Sequence, residues 1–442
     1  MSDVKIDQYI KNYPTLTSKQ VNYATVVAFL AWVFSVFDFV LSGTLLPVIA
    51  ADFQWTTAYS AQISMYIGIG VFLVSFTVGP IADKIGRSNG LTLVTVGTAL
   101  SSLLTGFVSG APMLILVRAL SGLGYQEQAI NSAYMNEITT NVKNKGFRYG
   151  FVQGGWPIGC MVGAVVATLF LEPLGWRAVF WVATIPAVII VILRLRLKES
   201  PKWLEMRDVK DLWKKGKKAE AIALGNHYGI DVEKMMAKTK LSQLFGPDLR
   251  RHTIFLFVAN IAIWFPCQVF SVLGTTVLTS AKGLEFSSAL TITIIINTFA
   301  YAGYLISGKL GDRFGRRNVI CVFWILSGIF FIIMLYFANS YFIIMITFLL
   351  GLFCMLGGWA TLMTYQGESY PTRVRAFAVS TLNAWGYLGA IISSGIFSFF
   401  IEMLGTTHAA VIAGAIPAII GGICMLGCHK VAPGQKLEDI AQ

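Results

Sequence analysis

An aspartate, Asp38, stands in the stretch "SVFDFVLSGTLLPVIAADF", near the middle of an apolar run from Tyr23 to Ala50. An ionised side chain at a bilayer centre costs about 2.5 to 3.5 kcal/mol on insertion scales, so a carboxylate there needs a water-lined cavity, a partner or a proton. On a helix, Ser35, Asp38 and Ser42 fall at i, i+3 and i+7 and form one polar stripe, which is expected to face a central cavity. Arg118, in "LVRALSGLGYQEQ", is the obvious partner, and Gly122 and Gly124 behind it let a neighbouring helix approach while the guanidinium reaches inward. A cation favours the charged form of a buried carboxylate, and desolvation disfavours it. A ligand or a closing cavity that alters the contact would tip this balance and move a proton. A static ion pair is the plainer alternative.

Glu127 is a second carboxylate within an apolar run, flanked by Gln126 and Gln128. Nine residues separate it from Arg118, half a rotation or about 180° on an ideal helix, so both line one cavity only if the glycine-rich turn distorts the helix. Glu127 reads either as a proton or substrate residue or as half of an ion pair on a packing face. The histidines (His227, His252, His408, His429) fall in loops or at the ends of apolar runs. By that reading a buried proton carrier is a carboxylate.

The elements that position these groups are membrane helices. The chain has 442 residues, 55% hydrophobic and 13% charged, with a mean hydropathy of +0.67, far from the usage of soluble domains. Runs of about 20 apolar residues, enough to cross some 30 Å of hydrocarbon, predict twelve spans: 23–50, 57–82, 90–108, 111–135, 148–171, 177–196, 253–280, 288–307, 319–338, 341–366, 376–401 and 408–428. With the amino terminus assigned to the cytoplasm, 31 of the 34 Lys and Arg residues fall in cytoplasmic segments, leaving Arg118, Arg177 and Lys282. The positive-inside rule then predicts both termini inside. The net charge of +12 reports orientation and no nucleic-acid partner. The six cysteines read as small packing residues, and no cofactor or metal site is expected. The polar first 20 residues carry no cleavable signal.

Self-comparison shows a repeat. "GPIADKIGRSN" at 79–89 is echoed by "GKLGDRFGRRN" at 308–318, an offset of 229 residues, and the segment around Glu137 is echoed around Glu368. The expected organisation is a cytoplasmic segment 1–22, a six-helix bundle 23–197, a linker of amphipathic helices 198–251, a second bundle 252–428 and a tail 429–442. At the short motif loops, glycines permit tight turns, and Asp83 and Asp312 can sit near a helix N-terminus, where a negative charge gains about 0.3 to 1 kcal/mol. Arg87, Arg316 and Arg317 can pair with Glu137 or Glu368, with Arg148 and Arg375 nearby, forming a cytoplasmic gate that breaks in one state. The first copy carries Ser88 where the second has Arg317.

The repeated Gly-x-x-x-Asp-x-x-Gly-Arg pattern resembles the signature of the major facilitator superfamily, and the resemblance covers essentially the whole chain. It implies an all-α membrane protein of twelve helices in two pseudo-repeats that works by alternating access. Arg118-x-x-x-Gly-x-Gly is similar to a motif of proton-coupled members. Asp38 matches the second Asp of an Asp-Gly-x-Asp element in aromatic-acid and metabolite symporters, with Ser35 in place of the first, and the Glu127 region is similar to sialic-acid-type porters. "ESPKWL" at 199–204 is similar to a segment of sugar and organic-ion porters.

Polar and aromatic residues deep in other spans are the candidate pocket: Gln153, Trp156, Trp264, Gln268, Asn297, Tyr301, Trp359, Gln366 and Asn383, with Arg118 as the cation. An amide in hydrocarbon seeks a partner, so each is a substrate contact or an interhelical hydrogen bond. The expected function is proton-coupled symport of a small organic acid by one chain in the inner membrane, with a sugar or polyol porter as the alternative. No soluble catalytic domain and no phosphate-binding loop remain once the spans are removed.

Overall fold

The computed structural model describes residues 7–138, 148, 151–236, 241–247, 249–370 and 375–430. Among these, eight helical stretches are long and apolar enough to cross a bilayer. Two of them, Phe151–Arg194 and Thr381–Gly427, carry two spans each. Gly175 (φ 75°) and Gly405 (φ 81°) break them in the left-handed region that glycine enters without a Cβ clash. The first of these runs out beside span 1, where Gly155 meets Trp32, and reaches Trp176 against Asp52. It then returns to place Leu193 beside Tyr23, whose hydroxyl donates to the Leu193 carbonyl at 2.7 Å.

Among the described residues these stretches give ten spans, and Arg87–Thr105 and the broken helix 111–138 bring the number to twelve. Span 1 is Ser18–Thr44, started by a Thr17 and Gln20 capping box and continued after Leu45 as Leu46–Asp52. Spans 2 and 3 are Thr57–Ile85 and Arg87–Thr105. Span 4 comes in three pieces, Ala111–Ala119, Gly122–Tyr125 and Glu127–Ile138, and is thus interrupted on either side of its two glycines, at Leu120 and Ser121 and again at Gln126. Spans 5 and 6 share Gly155–Arg194. Span 7 is Arg250–Pro266, a π-helical turn Cys267–Val272, then Gly274–Ser280. Spans 8, 9 and 10 are Phe286–Phe314, Arg316–Tyr336 and Tyr341–Glu368. Span 11 is Arg375–Gly386 with the first part of Leu388–Ala410, and span 12 continues past Gly405 through Val411–Ala415 and Ile416–Cys424.

The linker folds as helices Pro201–Lys214, Lys218–His227 and Val232–Met236 around a small core of Val209, Leu212, Ala221 and Leu224, against which Tyr9 and Ile10 of the amino-terminal segment pack. Tyr13 donates to Asp208 at 2.6 Å, and Lys11 pairs with the same carboxylate at 3.2 Å. Burial and the Asp208 charge push the Tyr13 hydroxyl up to about 12. Burial raises Asp208, but its bonds from Tyr13, Arg207 and Lys11 win and hold it below the usual carboxylate range.

At the end opposite the two motif loops the bundles touch. The Thr275 hydroxyl donates to the Thr44 carbonyl at 2.8 Å and Ser398 to the Ala58 carbonyl at 2.7 Å. A Cβ on Gly43 would sit 2.3 Å from the Val272 carbonyl oxygen, so only glycine allows this approach of spans 1 and 7. The other end carries the motif loops and the linker and is called the basic end below.

Candidate functional site

A central cavity of 240 Å³ lies between the bundles. Trp32, Tyr125, Gln128, Gln153 and Trp156 wall it from the first half, and Trp264, Tyr301, Tyr304, Trp359 and Thr364 from the second; Gly308 of the second motif carries it toward the basic end. Trp264 meets Trp359 edge to face at 4.8 Å and Trp156 at 6.5 Å. Gln128 donates to Gln153 at 2.8 Å. The indole nitrogens of Trp32 and Trp156 are buried with no acceptor.

Of the residues expected in the pocket, Gln153, Trp156, Trp264, Tyr301 and Trp359 form its wall. The others stand elsewhere. Gln366 is fully buried within its own bundle and donates to Asn260 at 3.3 Å. Asn297 donates to the Thr293 carbonyl one turn back, at 2.9 Å. Asn383 is half-buried off the wall, and Gln268 faces a separate, smaller chamber. Amides in a helix bundle satisfy themselves on neighbouring backbone as readily as on a ligand.

Asp38 and Arg118 are indeed partners, but they do not line the cavity. Both are 0% exposed inside the first bundle. Arg118 Nη1 donates to Asp38 Oδ1 at 3.1 Å, and its Nη2 donates to Asp38 Oδ2 at 3.2 Å and to the Asp38 carbonyl at 2.6 Å. The guanidinium stacks over Phe180 of span 6. Ser102 of span 3 donates to Asp38 Oδ1, a contact that sequence reasoning missed. The stripe expected to face the cavity therefore turns Asp38 inward, where a bidentate partner and a hydroxyl compensate its charge better than a wide wet space would. No charged side chain is on the described wall of the cavity.

Glu127 is likewise fully buried, and its partner is Arg194. By the charge tally Arg194 is one of the 31 cations at the cytoplasmic side; it is instead 1% exposed at the end of span 6 and also donates to the Leu91 carbonyl and Thr95 of span 3. Asn131 donates to Glu127 Oε1 at 2.6 Å. The interrupted helix of span 4 does not bring Arg118 and Glu127 onto one wall, because each has its own partner. His252 corrects another expectation. Although at the start of span 7, it is 1% exposed and accepts from the His429 amide at 3.1 Å, so a carboxylate is not the sole buried titratable type.

At the basic end Arg87 bridges Asp83 (2.5 Å) and Glu137 (3.4 Å), and Arg316 bridges Asp312 (3.0 Å) and Glu368 (3.1 Å). Each of these pairs lies within one bundle. Asp83 does not take the helix N-terminus; Glu199 of "ESPKWL" does, accepting from the Arg87 amide at 3.0 Å and the Ser88 amide at 3.1 Å. Burial raises the Glu199 carboxyl above its ordinary range despite these bonds. Arg317 does not reach either glutamate but donates to the Leu426 and Cys428 carbonyls at the end of span 12. Arg148 donates to Thr25 of span 1 at 3.3 Å, and the Arg375 side chain lies outside the described residues.

Comparison with known proteins agrees with this architecture. The chain matches the Major Facilitator Superfamily over residues 27–307 and 256–440. It is 25% identical to the probable 4-methylmuconolactone transporter of Cupriavidus pinatubonensis, over 84% of this chain and 82% of that one. It is 23% identical to the gallate transporter of Pseudomonas putida, over 84% and 83%. Its fold matches the crystal structure of a D-xylose-proton symporter with a TM-score of 0.72 at 17% identity, covering 94% of this chain and all (100%) of the other. Two six-span halves about a shared cavity, each with the same glycine-rich loop between its second and third spans, have one reading in common with these relatives: the chain belongs to the Major Facilitator Superfamily and is a multi-pass membrane transporter, not an enzyme.

Proposed function

We propose that the protein is a proton-coupled symporter of a small organic acid, with Asp38 as the proton carrier and Arg118 as the group that sets when it titrates. The observation that carries this reading is the Asp38, Arg118 and Ser102 cluster, fully buried yet touching three spans of one bundle. Protonation of Asp38 removes the ionic half of the contact and leaves Arg118 its bond to the Asp38 carbonyl, so spans 1 and 4 repack with the proton state. The two relatives named for gallate and for 4-methylmuconolactone support an acid bearing a ring. Without a cation on the wall, its oxygens would be met by donors: the Trp32 and Trp156 indoles and the Gln128 and Gln153 amides. Arg118 then acts from behind the wall and not on the substrate.

In this reading the basic end and both termini are cytoplasmic, one chain is the working unit, and the bundles rock about the cavity. The Arg87 and Arg316 clusters and Glu127 with Arg194 keep each bundle rigid as it moves. Symport of one monoanion with one proton is electroneutral and driven by the pH gradient alone. A thermal-shift screen of carboxylates including gallate and 4-methylmuconolactone, followed by proteoliposome uptake of the best binder with pH and voltage imposed separately, tests it; accumulation indifferent to both rules out symport. The uncharged wall also favours a second reading, a sugar or polyol porter. In that case neutral polyols, and not carboxylates, compete in the same assay.

A further inference from the structure

A second, smaller space of 30 Å³, room for a water or two since one water needs about 10–15 Å³ of such volume, is walled by residues that flank the buried pair in sequence, Phe39 and Ser42 near Asp38 and Leu114 and Ser121 near Arg118, though neither Asp38 nor Arg118 lines it. Its polar walls are Ser42, Ser64, Ser121 and Gln268, and Leu46 closes one side. Ser42 stands four residues after Asp38, one turn along span 1, and Ser121 stands three after Arg118, in the break of span 4. The Ser121 hydroxyl donates to the Arg118 carbonyl at 2.6 Å, joining the chamber wall to the span that holds the guanidinium. Gln268 reaches across from the second bundle to donate to Ser64 at 3.2 Å.

The chamber is shut off on two sides. Toward the central cavity, Tyr387 packs against Tyr125 at 4.6 Å and Phe39 at 6.2 Å. Toward the opposite end, Leu46 lines both this chamber and an outer recess of 200 Å³ that Trp55, Ser60 and Thr276 help to form. Leu46 is thus the wall residue common to the small polar space and the recess at the closed end.

We propose that this chamber is the proton-access compartment for Asp38 and that Leu46 is its apolar plug; the inference rests on the reading of Asp38 as the proton carrier. Asp38 lies behind the chamber wall, so transfer requires the wall to loosen: a hydronium then gives its proton to an Asp38 carboxylate oxygen, an O–H bond forms there, and water is left behind. The carboxylate becomes a neutral acid and Arg118 keeps its positive charge. The groups that face Asp38 are Arg118 from span 4 and Ser102 from span 3, with Phe180 of span 6 behind the guanidinium. The described wall of the chamber itself carries the Tyr387 hydroxyl and no charged side chain. Because Gln268 and Val272 belong to the second bundle, parting of the bundles at this end would widen the chamber and wet the plug.

The test needs no substrate. Full-length protein in lipid bilayers is followed by infrared spectroscopy after a downward pH jump, reading the rise of the protonated carboxyl band that Asp38→Asn lacks. Ser64→Val with Gln268→Leu should slow that rise by about two- to tenfold, the factor that loss of one hydrogen bond's worth of barrier produces. Leu46→Ala should speed it; loosened packing would also expose Asp38 and speed it, so the slowing by Ser64→Val with Gln268→Leu is the effect that misfolding does not mimic. Unchanged rates in both variants, with the Asp38 band intact, overturn the chamber and leave the coupling reading standing. A wild-type spectrum with no band that Asp38→Asn removes overturns both.

Discussion

The two halves of this protein share a backbone plan but not an interior. In the first bundle four buried charges form two pairs, Asp38 with Arg118 and Glu127 with Arg194. In the second, 229 to 231 residues further on, stand only uncharged residues, among them Cys267, Thr347, Leu356 and Ile423. The place corresponding to Ser102 is Phe331, which stacks on Phe270 at 3.8 Å. Among the described residues, the buried acids and the buried arginines all lie in the first bundle, and the second holds amides, aromatics and His252. The lesson is a division of labour between a titratable half and a packed half that together enclose one aromatic cavity.

The motif loops repeat the contrast on a smaller scale. In the first half Glu199 caps the start of span 3 through the Arg87 and Ser88 amides, and the Ser88 hydroxyl donates to the Leu197 carbonyl. In the second half Arg317 replaces that serine and donates to the Leu426 and Cys428 carbonyls at the corresponding end of span 12. One half uses an acid on helix amides and the other a base on helix carbonyls to join the same two spans. Both are favourable ends of the helix dipole.

The comparison can be broken at its strongest point. Glu127→Ala alone leaves Arg194 buried and unpaired, and is expected to cost about 3–5 kcal/mol, whereas Glu127→Gln with Arg194→Met should recover most of it; thermal stability in detergent reads both. The matching second-half change, Leu356→Met, should cost less than about 1.5 kcal/mol, because volume is conserved and no charge is stranded. Equal losses in the two halves would erase the distinction. A smaller effect sharpens it at the loops. Glu199→Gln, which weakens a helix cap, should lower stability by about 0.5–2 kcal/mol, and Arg317→Ala by about 1.5–3 kcal/mol for lost charged hydrogen bonds, each measured by the same melt.

The smallest expected effect is at the amino-terminal latch on the linker. Asp208 is held low, so its contribution is present above the ordinary aspartate range near 3.9 and lost as pH falls below it. Tyr13 is held high, so its contribution is present below about 10 and lost as pH rises through about 12. Limited proteolysis near Lys11 should therefore be slow at neutral pH and speed up at either extreme. Tyr13→Phe should remove the alkaline limb only.

Much of this was legible in the sequence. Twelve apolar runs and a motif repeated at a fixed offset carried the architecture, because burying backbone in lipid leaves few alternatives to helices. Asp38 with Arg118 was legible because two opposite charges in hydrocarbon must meet. Arg194 was not, since it ends an apolar run beside a basic linker and looks like an interfacial anchor. Ser102 was hidden because a hydroxyl in an apolar run carries no positional signal. The cavity wall was half legible: indoles such as Trp156 and Trp359 were placed correctly. Asn297 and Gln366 were not, because in a membrane both the lipid face and the packing face are apolar, and helical periodicity no longer tells them apart from a cavity face.

The most direct measurement is pH-gradient-driven accumulation of the best-binding carboxylate in proteoliposomes, comparing Asp38→Asn with Cys267→Ala at the corresponding second-half position. The account predicts that Asp38→Asn abolishes uphill accumulation while retaining exchange of labelled for unlabelled substrate, and that Cys267→Ala, on the cavity wall, can alter affinity but keeps uphill accumulation. Uphill accumulation by Asp38→Asn at the wild-type level would contradict it.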